Sequence, residues 1–243
     1  MERGNIIYEG KGKIMYETSV PDLCLMHFKD EATAFNGKKK GIIKDKGIYN
    51  AKITALFYRI LTEIGIKNHF VEAYNDRMLI VKRIDIIPVE FVVRNVVAGS
   101  LSDRLGIKEG LQLLEPVLET YYKDDNLGDP FVNEAHLRIL GTATEEELRI
   151  CKTVSLQVNL VVKNYLARRG LLLVDFKLEF GRYNNEIYLG DEISPDTSRI
   201  WDVATQKVLD KDRFRRDLGE IETSYKEVTE RILGGETECG QPI

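Results

Sequence analysis

The chain has 243 residues and a formal net charge of −4, with 35 Lys and Arg against 39 Asp and Glu. This length allows one large domain or two small ones around a shared cleft. The slight acidic excess argues against a nucleic-acid partner, since a nucleic-acid binder carries a basic excess.

Three scattered cysteines without C-x-x-C spacing argue against a zinc site and favour a reduced compartment. The first ten residues lack the apolar core of a signal peptide, and no apolar run approaches the ~18 residues of a membrane span. We therefore expect a soluble, cytoplasmic protein with no membrane partner. The three histidines do not cluster, and we interpret His27, His69 and His136 as structural or surface residues.

Three short β-like runs open the chain, at 5–8, 13–17 and 23–28. The turn between the first two carries Lys11 and Lys13 among glycines and could close over nucleotide phosphates. Its spacing matches neither the P-loop nor the dinucleotide fingerprint, so a solvated Lys-Gly turn is the simpler alternative. Residues 30–47 form a polar segment that is long for a connection and is typical of a functional lid or a disordered loop.

A helical apolar period covers 49–66, and two more strands follow at 69–73 and 78–81. Ile86-Ile87-Pro88 then interrupts the pattern. We predict a sheet of about five antiparallel strands with one helix and a short link, which resembles the smaller lobe of a protein-kinase-like nucleotide fold. Residues 1–85 would form this lobe and 86–243 a larger one. Adenine would contact backbone at 82–86, and Lys82 is either a nucleotide contact or an ordinary edge-strand charge.

Residues 89–97 read as a buried strand interrupted by Glu90, Arg94 and Asn95, and a buried Arg needs a partner. The simplest partner is Glu90. Ser100 follows with open backbone at the start of a helix, an arrangement that can receive an anion. Residues 113–122 suggest one or two further strands.

A charged loop with Lys123 and Asp129 comes next, and we assign both to the nucleotide side. Pro130 biases Asp129 toward extended geometry, although a turn-stabilising Asp is the plain alternative. A capping box at 144–147 opens a long amphipathic helix, and 210–233 repeats the helical pattern. We expect both helices to be scaffold.

The stretch 171–201 carries the most chemistry. A strand begins at 171, and Asp175, Lys177 and Glu179 alternate so that they share one face. A Gly- and Asn-containing turn at 181–186 returns a second strand, which brings Asp191 toward Glu179. Magnesium that serves phosphates is usually held by one or two such carboxylates, although an amphipathic hairpin with a solvated face is the bland alternative. Arg199 ends a polar turn, and its planar fork suits phosphate or carboxylate.

Several segments together resemble the SAICAR synthetase family, in order and spacing, from Tyr8 to Arg215. They are YEGKGKIMYE, IPVEFVVRNVVAGS, DPFVNEAH, VDFKLEFG and GDEISPDTSRIWD. The resemblance implies an α+β, two-lobed fold that is protein-kinase-like and ATP-grasp-like, with a small antiparallel β lobe and ATP in the cleft against a larger α+β lobe. Asn36-Gly37 matches one form of a mobile loop in this family. Asn50-Ala51 departs from the pair of Asn in some members.

The resemblance also implies an activity. The chain would be a carbon–nitrogen ligase of purine biosynthesis that condenses the carboxyaminoimidazole ribonucleotide CAIR with L-aspartate, giving SAICAR, ADP and phosphate from ATP. Lys11 and Lys13 would contact ATP phosphates, and Arg94 and Ser100 the phosphate and carboxylate of the ribonucleotide. Arg215 would lie near substrate. We also expect a homodimer.

The chemistry of this reaction favours an acyl phosphate, because a carboxylate oxygen is a poor leaving group until it is phosphorylated. Magnesium on Glu179 and Asp191 would serve the phosphates. Lys177 and Arg199 would hold anionic oxygens of the substrates, and Asp175 would orient the amine or accept its proton. Two rivals remain at this level: a small-molecule kinase on the same fold, and a nucleotide-binding regulatory module without turnover.

Overall fold

The structure is a computed structural model that describes residues 2–34 and 38–234. In chain order its elements are β1 (Arg3–Glu9), β2 (Lys13–Thr18), β3 (Leu23–Phe28), β4 (Glu31–Ala34), β5 (Lys39–Ile42), α1 (Lys46–Glu63), β6 (Phe70–Asn75), β7 (Met78–Lys82), β8 (Asp85–Val96), α2 (Ser100–Leu105), β9 (Gln112–Tyr122), β10 (Phe131–Val132), α3 (Glu134–Leu140), α4 (Glu145–Ala167), β11 (Leu171–Tyr183), β12 (Glu186–Gly190), β13 (Ser198–Asp202), α5 (Asp212–Arg215) and α6 (Ile221–Leu233).

The first sheet is antiparallel, with strand order β1-β2-β3-β7-β6, and it confirms the predicted five strands. Helix α1 packs against this sheet through Ala51 and Ala55. Its other apolar side chains, including Ile53, Phe57 and Leu61, enter the main core beneath the second sheet. The helix is apolar on two faces because it is packed against both sheets.

The second sheet has the order β10-β9-β8-β11-β12, and β13 pairs with the first half of β11. Strand β11 is central and alternates its side chains, so Phe176, Leu178 and Phe180 enter the main core while Lys177 and Glu179 line a cleft. Helix α4 covers the core side. Both reciprocal bonds of its capping box, between Thr144 and Glu147, are present as predicted.

The segment 30–47 is not the irregular loop that its composition suggested. Its described part forms the hairpin β4–β5, with Glu31 opposite Ile42 and Ala34 opposite Lys39. The hairpin lies over α5, where the Lys39 ammonium donates to the Phe214 carbonyl at 2.5 Å. Asn36-Gly37, which carried part of the family resemblance, lies outside the described residues.

The predicted break at 86–88 is wrong, because β8 runs without interruption through Pro88. The link between the sheets is therefore only residues 83–84. Pro88 stands beyond the last β9 pair, Val89 with Tyr122, and at a register shift in the ladder to β11. A proline at such a position removes no ladder hydrogen bond.

The predicted single helix over 210–233 is also wrong, since α5 and α6 are separate. In the turn between the two helices, Asp217, Gly219 and Glu220 all have positive φ. The buried guanidinium of Arg213 stabilises this turn by donating to the carbonyls of Leu218 at 2.9 Å and Gly219 at 2.7 Å. The apolar period continues across the break, so hydrophobicity alone does not reveal it.

No helix within residues 2–34 and 38–234 is long and apolar enough to cross a membrane.

Candidate active site

A cavity of about 610 Å³ opens along the cleft face of the second sheet, beneath the turn between β1 and β2. Every site residue predicted from the sequence lines it, except Lys82. These residues are Lys11, Lys13, Arg94, Ser100, Lys123, Asp129, Asp175, Lys177, Glu179, Asp191, Arg199 and Arg215. The Lys82 ammonium instead lies 4.5 Å from the ring centroid of Tyr188 and 5.8 Å from that of Tyr183. This contact favours an ordinary structural role for Lys82, although its strand β7 lies between β3 and β6 and not at the edge that the alternative assumed.

Lysines and carboxylates alternate at one end of the cavity. The Lys177 ammonium lies 2.5 Å from Glu179 Oε1 and 3.5 Å from Asp191 Oδ2, so the two carboxylates converge on one point as the hairpin predicted. Lys123 binds Glu179 at 2.8 Å, and Lys13 bridges Asp191 and Glu192.

The charges of this cluster shift one another's pKa values. Burial disfavours the ionised form of Asp191, but Lys13, Lys177 and Lys123 outweigh it and lower the pKa of that carboxyl. Burial likewise opposes the charge of Lys177, and Glu179 and Asp191 raise its pKa well above the usual value. Asp191 and Lys177 thus each favour the charged form of the other.

Backbone geometry places the Asp191 carboxylate. Asn184 and Asn185 both have positive φ, 51° and 60°, as a two-residue type I′ hairpin turn requires. This turn sets Gly190 opposite Glu179. Asp191 follows in the left-handed region with φ 58°.

Two buried side chains hold the backbone at this point, and no motif in the sequence indicated either role. The Tyr58 hydroxyl donates to the Gly190 carbonyl. His69 Nε2 lies 3.1 Å from the Asp191 carbonyl, and its backbone N–H donates to the Leu189 carbonyl at 2.9 Å. Burial lowers the pKa of His69 to about 4, so the imidazole is neutral near pH 7. His69 is structural as predicted, but it braces a functional residue.

Arginines and carboxylates alternate at the other end of the cavity. Arg94 Nε binds Glu119 at 2.6 Å, and its Nη1 binds Asp175 at 2.7 Å. Arg199 Nη1 binds the same Asp175 at 2.8 Å, and Arg199 Nε binds Asp212 at 2.7 Å. This row of ion pairs, the arginine–carboxylate chain, ends with Arg215 on Asp212 and with Arg104 on Glu119.

Glu90 is therefore not the partner of Arg94, contrary to the simplest expectation. Residues four apart on one strand are roughly 13 Å apart, which is beyond salt-bridge distance. Glu90 pairs with Lys177 at 3.0 Å, and Arg94 takes its partners from the neighbouring strands β9 and β11. The Ser100 hydroxyl accepts from Arg94 Nη2 at 2.8 Å, so the two predicted anion-binding residues lie side by side.

Gly99 allows Arg199 to reach this position. It has φ 51°, and a Cβ atom there would lie 2.4 Å from Arg199 Nη2. Any side chain at residue 99 would therefore displace the guanidinium as well as strain the backbone.

The expectation of extended geometry at Asp129 is wrong, because its φ is 50°. Asp129 Oδ1 accepts from the Asp124 N–H at 3.0 Å, which is the turn-stabilising alternative. The side chain still lines the cavity. In the turn above, the Lys11 ammonium binds Asp125 at 2.7 Å between exposed side chains, so this contact is readily exchanged.

A buried cluster in the wall of the cavity was not predicted. Asp196 accepts from Lys46 at 2.8 Å, from Lys211 at 3.3 Å and from the Tyr225 hydroxyl at 2.7 Å. Burial opposes the charge of Asp196, but Lys211 and Lys46 lower its pKa well below the usual value. Asp196 stands in the predicted polar turn before Arg199, whereas nothing local marked Lys46, 150 residues away.

The donors suit a hard cation that is shared with a phosphate ligand. Within residues 2–34 and 38–234, no three His, Cys, Asp or Glu side chains are placed to hold a metal ion by themselves. Glu179 and Asp191 supply two carboxylates facing the cavity. Magnesium commonly takes one or two carboxylates and completes its shell with water and nucleotide oxygens. The residues therefore fit magnesium bound together with a nucleotide.

Known proteins resemble the chain over nearly its whole length. The family model described as SAICAR synthetase matches residues 6–232. A phosphoribosylaminoimidazole-succinocarboxamide synthase of Desulfitobacterium hafniense strain Y51 is 53% identical, over 96% of this chain and 98% of its own.

Solved structures agree. The crystal structure of the synthase from Ehrlichia chaffeensis is 45% identical with a TM-score of 0.92, covering 94% of this chain and 98% of that one. A SAICAR synthetase solved in complex with ADP is 49% identical with a TM-score of 0.91, covering 95% and 98%.

Proposed function

The chain belongs to the SAICAR synthetase family, and from this premise we propose how its cleft carries out the family reaction. The protein is an ATP-dependent, amide-forming ligase of purine biosynthesis that condenses CAIR with L-aspartate to give SAICAR, ADP and phosphate. The observation that supports the mechanism best is the cavity itself, in which a lysine–carboxylate cluster faces an arginine–carboxylate chain.

The nucleotide phosphates belong at the lysine end of the cavity. One relative was solved with ADP, and Lys11, Lys13 and Lys123 line this end beside Glu179 and Asp191. Each of the three ammonium groups now pairs with a carboxylate and would turn to the phosphates. Asp129 shapes the loop that carries Lys123, and adenine would lie toward the link at 83–84.

Magnesium would be held by Glu179 and Asp191 together with phosphate oxygens. When bound, it would offset negative charge on the phosphates and draw the reacting carboxylate toward them. Lys177 touches both carboxylates and is placed to bind the oxygens that pass between ATP and CAIR.

The CAIR phosphate belongs at the arginine end, on Arg94, Ser100 and Arg199. A guanidinium presents two parallel donors to such a group. With CAIR anchored there, its carboxylate would point toward Lys177 and the γ-phosphate. Holding the reactants in this way supplies most of the acceleration in a phosphoryl transfer.

Two steps complete the reaction. An oxygen of the CAIR carboxylate attacks the γ-phosphorus and ADP leaves, forming an acyl phosphate. The aspartate amine then attacks the acyl carbon, phosphate leaves and the nitrogen gives up a proton. Two guanidinium groups already engage Asp175, which favours a role in orienting Arg94 and Arg199 over proton transfer.

Isotope transfer tests this route. CAIR labelled with ¹⁸O in both carboxylate oxygens should deliver one labelled oxygen to each phosphate released. Unlabelled phosphate would rule out the acyl phosphate. Phosphate release that needs both CAIR and aspartate supports the ligase, whereas release or transfer without aspartate would indicate a kinase, and none at all a regulatory module.

We also propose a homodimer formed through the edge of β9. The segment 113–116 bulges from the ladder between the pairs Arg94–Val117 and Val96–Gln112, and Leu114 at its tip is fully exposed. Among the described strands, β10 covers this edge only at Thr120 and Tyr121. Two copies related by a twofold axis could pair these edges. Leu114→Lys should then give a monomer by sedimentation, whereas an unchanged sedimentation coefficient would contradict this interface.

A cytoplasmic location accords with the cysteines. Cys24 and Cys151 are both buried and free, as is usual in a reducing compartment.

The division of the chain into two lobes at residue 85 also remains a proposal. The chain passes from the first sheet to the second at 83–84, which supports this division. Helix α1 belongs to the first 85 residues but packs in the core beneath the second sheet, so the two lobes share that core.

A further inference from the structure

Asn95 interrupts the apolar run of β8 and has no part in the reaction proposed above. Its neighbour Arg94 faces the cleft, so Asn95 points the opposite way, toward α4. Asn95 is 5% exposed, and Asn159 of α4 is 4% exposed. A buried amide is costly unless its polar atoms are hydrogen-bonded, so the presence of two amides in this core needs a reason.

The two side chains form a reciprocal amide pair. Asn95 Nδ2 donates to Asn159 Oδ1 at 2.8 Å, and Asn159 Nδ2 donates to Asn95 Oδ1 at 3.0 Å. Asn95 Nδ2 also donates to the Leu173 carbonyl of β11 at 3.2 Å. The Asn95 side chain therefore joins three elements, because it belongs to β8 and binds both β11 and α4.

These hydrogen bonds lie where β8 leaves β11. The last pair in the ladder between the two strands is Arg94 with Asp175. Beyond this pair β8 continues beside β9 and leads into the segment that carries Ser100. The hydrogen bond from Asn95 to the Leu173 carbonyl thus connects the two strands at the point where they separate.

The direction that β8 takes at this point determines how the CAIR-binding donors are arranged. Arg94 Nη1 binds Asp175 on β11 at 2.7 Å, and Arg94 Nη2 donates to the Ser100 hydroxyl at 2.8 Å. One of these partners lies on β11 and the other on the chain that has already left β11. The course of the backbone at residue 95 therefore sets the distance between them.

Stability alone does not account for the pair. Replacing two hydrogen-bonded groups by apolar groups of the same shape is often nearly neutral, so an apolar pair would fill the core as well. Hydrogen bonds differ from apolar contacts in that they depend on distance and angle, whereas the hydrophobic effect has no direction. The amides therefore fix the position of β8 relative to α4 and β11 more closely than apolar side chains would.

We propose that the Asn95–Asn159 pair is a positioning unit for the ligase reaction, which holds Arg94 and Ser100 in place for CAIR from the opposite side of the sheet. This inference rests on the proposed ligase function. Neither asparagine touches a substrate, and both act through the course of β8. The nucleotide end of the cavity should be unaffected, because β8 and β11 remain paired beside Glu179.

The double variant Asn95→Val/Asn159→Ala separates positioning from stability. It keeps the summed side-chain volume similar and uses residues that suit a strand and a helix. Both amides are removed together, so neither is left without the other, and the variant should fold with Tm lowered by less than about 12 °C. Its Kd for CAIR, measured by calorimetry with ADP and magnesium present, should rise about 10- to 100-fold. Its Kd for ADP should change less than about twofold.

Two further variants show whether the hydrogen bonds themselves are responsible. Asn159→Asp should bind CAIR within about threefold of the unaltered protein, because burial keeps the carboxyl protonated and a neutral carboxyl both accepts from and donates to Asn95. The matched control is Ser155→Ala, one turn earlier on α4, where a fully buried hydroxyl donates to the Cys151 carbonyl of the same helix. It should leave the Kd for CAIR unchanged.

Equal affinity for CAIR in the unaltered protein and the folded double variant would overturn the inference, whether or not the protein makes SAICAR. If the double variant does not fold, Asn159→Ala takes its place, and an unchanged Kd there has the same meaning. Weakening by Ser155→Ala as large as that by the double variant would also contradict it. An unaltered protein that binds CAIR but makes no SAICAR would contradict the ligase function alone.

Discussion

The hydroxyl of Tyr58 offers a direct test of how the protein positions Asp191. Its side chain is 0% exposed, and the hydroxyl donates to the Gly190 carbonyl, one residue before the carboxylate. Burial raises the pKa of Tyr58 well above the usual value, so the hydroxyl keeps its proton and donates at any accessible pH. Tyr58→Phe removes this donor and leaves the ring in place.

The cost follows from the burial of the acceptor. A buried carbonyl that loses its donor costs about 1–3 kcal/mol, and no ring-sized cavity forms. In a chain of this size each kcal/mol lowers Tm by about 2–4 °C, so the expected fall is roughly 2–12 °C. We also expect kcat to fall about 10- to 100-fold, because small displacements of a catalytic carboxylate are costly.

The measurements are denaturant unfolding and SAICAR synthesis as magnesium is varied. Tyr49→Phe on the same helix is the matched control, since its hydroxyl makes no hydrogen bond to another described residue and its ring packs at the edge of a smaller cluster. If both variants unfold at the same denaturant concentration and turn over equally, Tyr58 does not hold the Asp191 backbone and the reasoning fails.

Three further predictions concern the same cleft. Asp191→Asn should abolish turnover and keep Tm within a few degrees, because Lys13 retains Glu192 and Lys177 retains Glu179; activity above a tenth of normal would contradict its role toward magnesium. Because His69 takes up its proton at a higher pH in the unfolded chain than in the folded protein, the free energy of unfolding should fall by up to about 3 kcal/mol as pH drops from 6.5 to about 4. His69→Gln should remove most of this pH dependence in a series of unfolding measurements. An unchanged slope would show that protonation of His69 is not its cause. Gly99→Ala should raise the KM for CAIR at least tenfold by displacing Arg199. The control is Gly106→Ala, which has a similar φ and no atom within 4 Å of the added Cβ; it should cost about 1 kcal/mol of stability and leave the KM for CAIR unchanged. Equal KM values for the two variants would show that Arg199 does not bind CAIR.

The sequence predicted most strands and helices and the faces they present, because periodicity is a local property. The alternation of Asp175, Lys177 and Glu179 and the turn at Asn184-Asn185 were enough to bring Asp191 back to Glu179. The errors fell where local pattern and tertiary context disagree. Pro88 lies within a strand because it stands at a register shift, where no ladder hydrogen bond is lost. The turn after α5 is stabilised by hydrogen bonds from Arg213, and a hydrophobicity pattern contains no information about such bonds.

Partner choice was decided only by the tertiary structure. Arg94 binds Glu119 and Asp175 because strands β9 and β11 flank β8, and strand order cannot be read from any one segment. Lys46 meets Asp196 across 150 residues of chain for the same reason. Hydrogen bonds and ion pairs act over a few ångströms, so the residues that brace a site are known only once the fold has brought them into contact, whereas the residues that face it follow from the two-residue repeat of a strand.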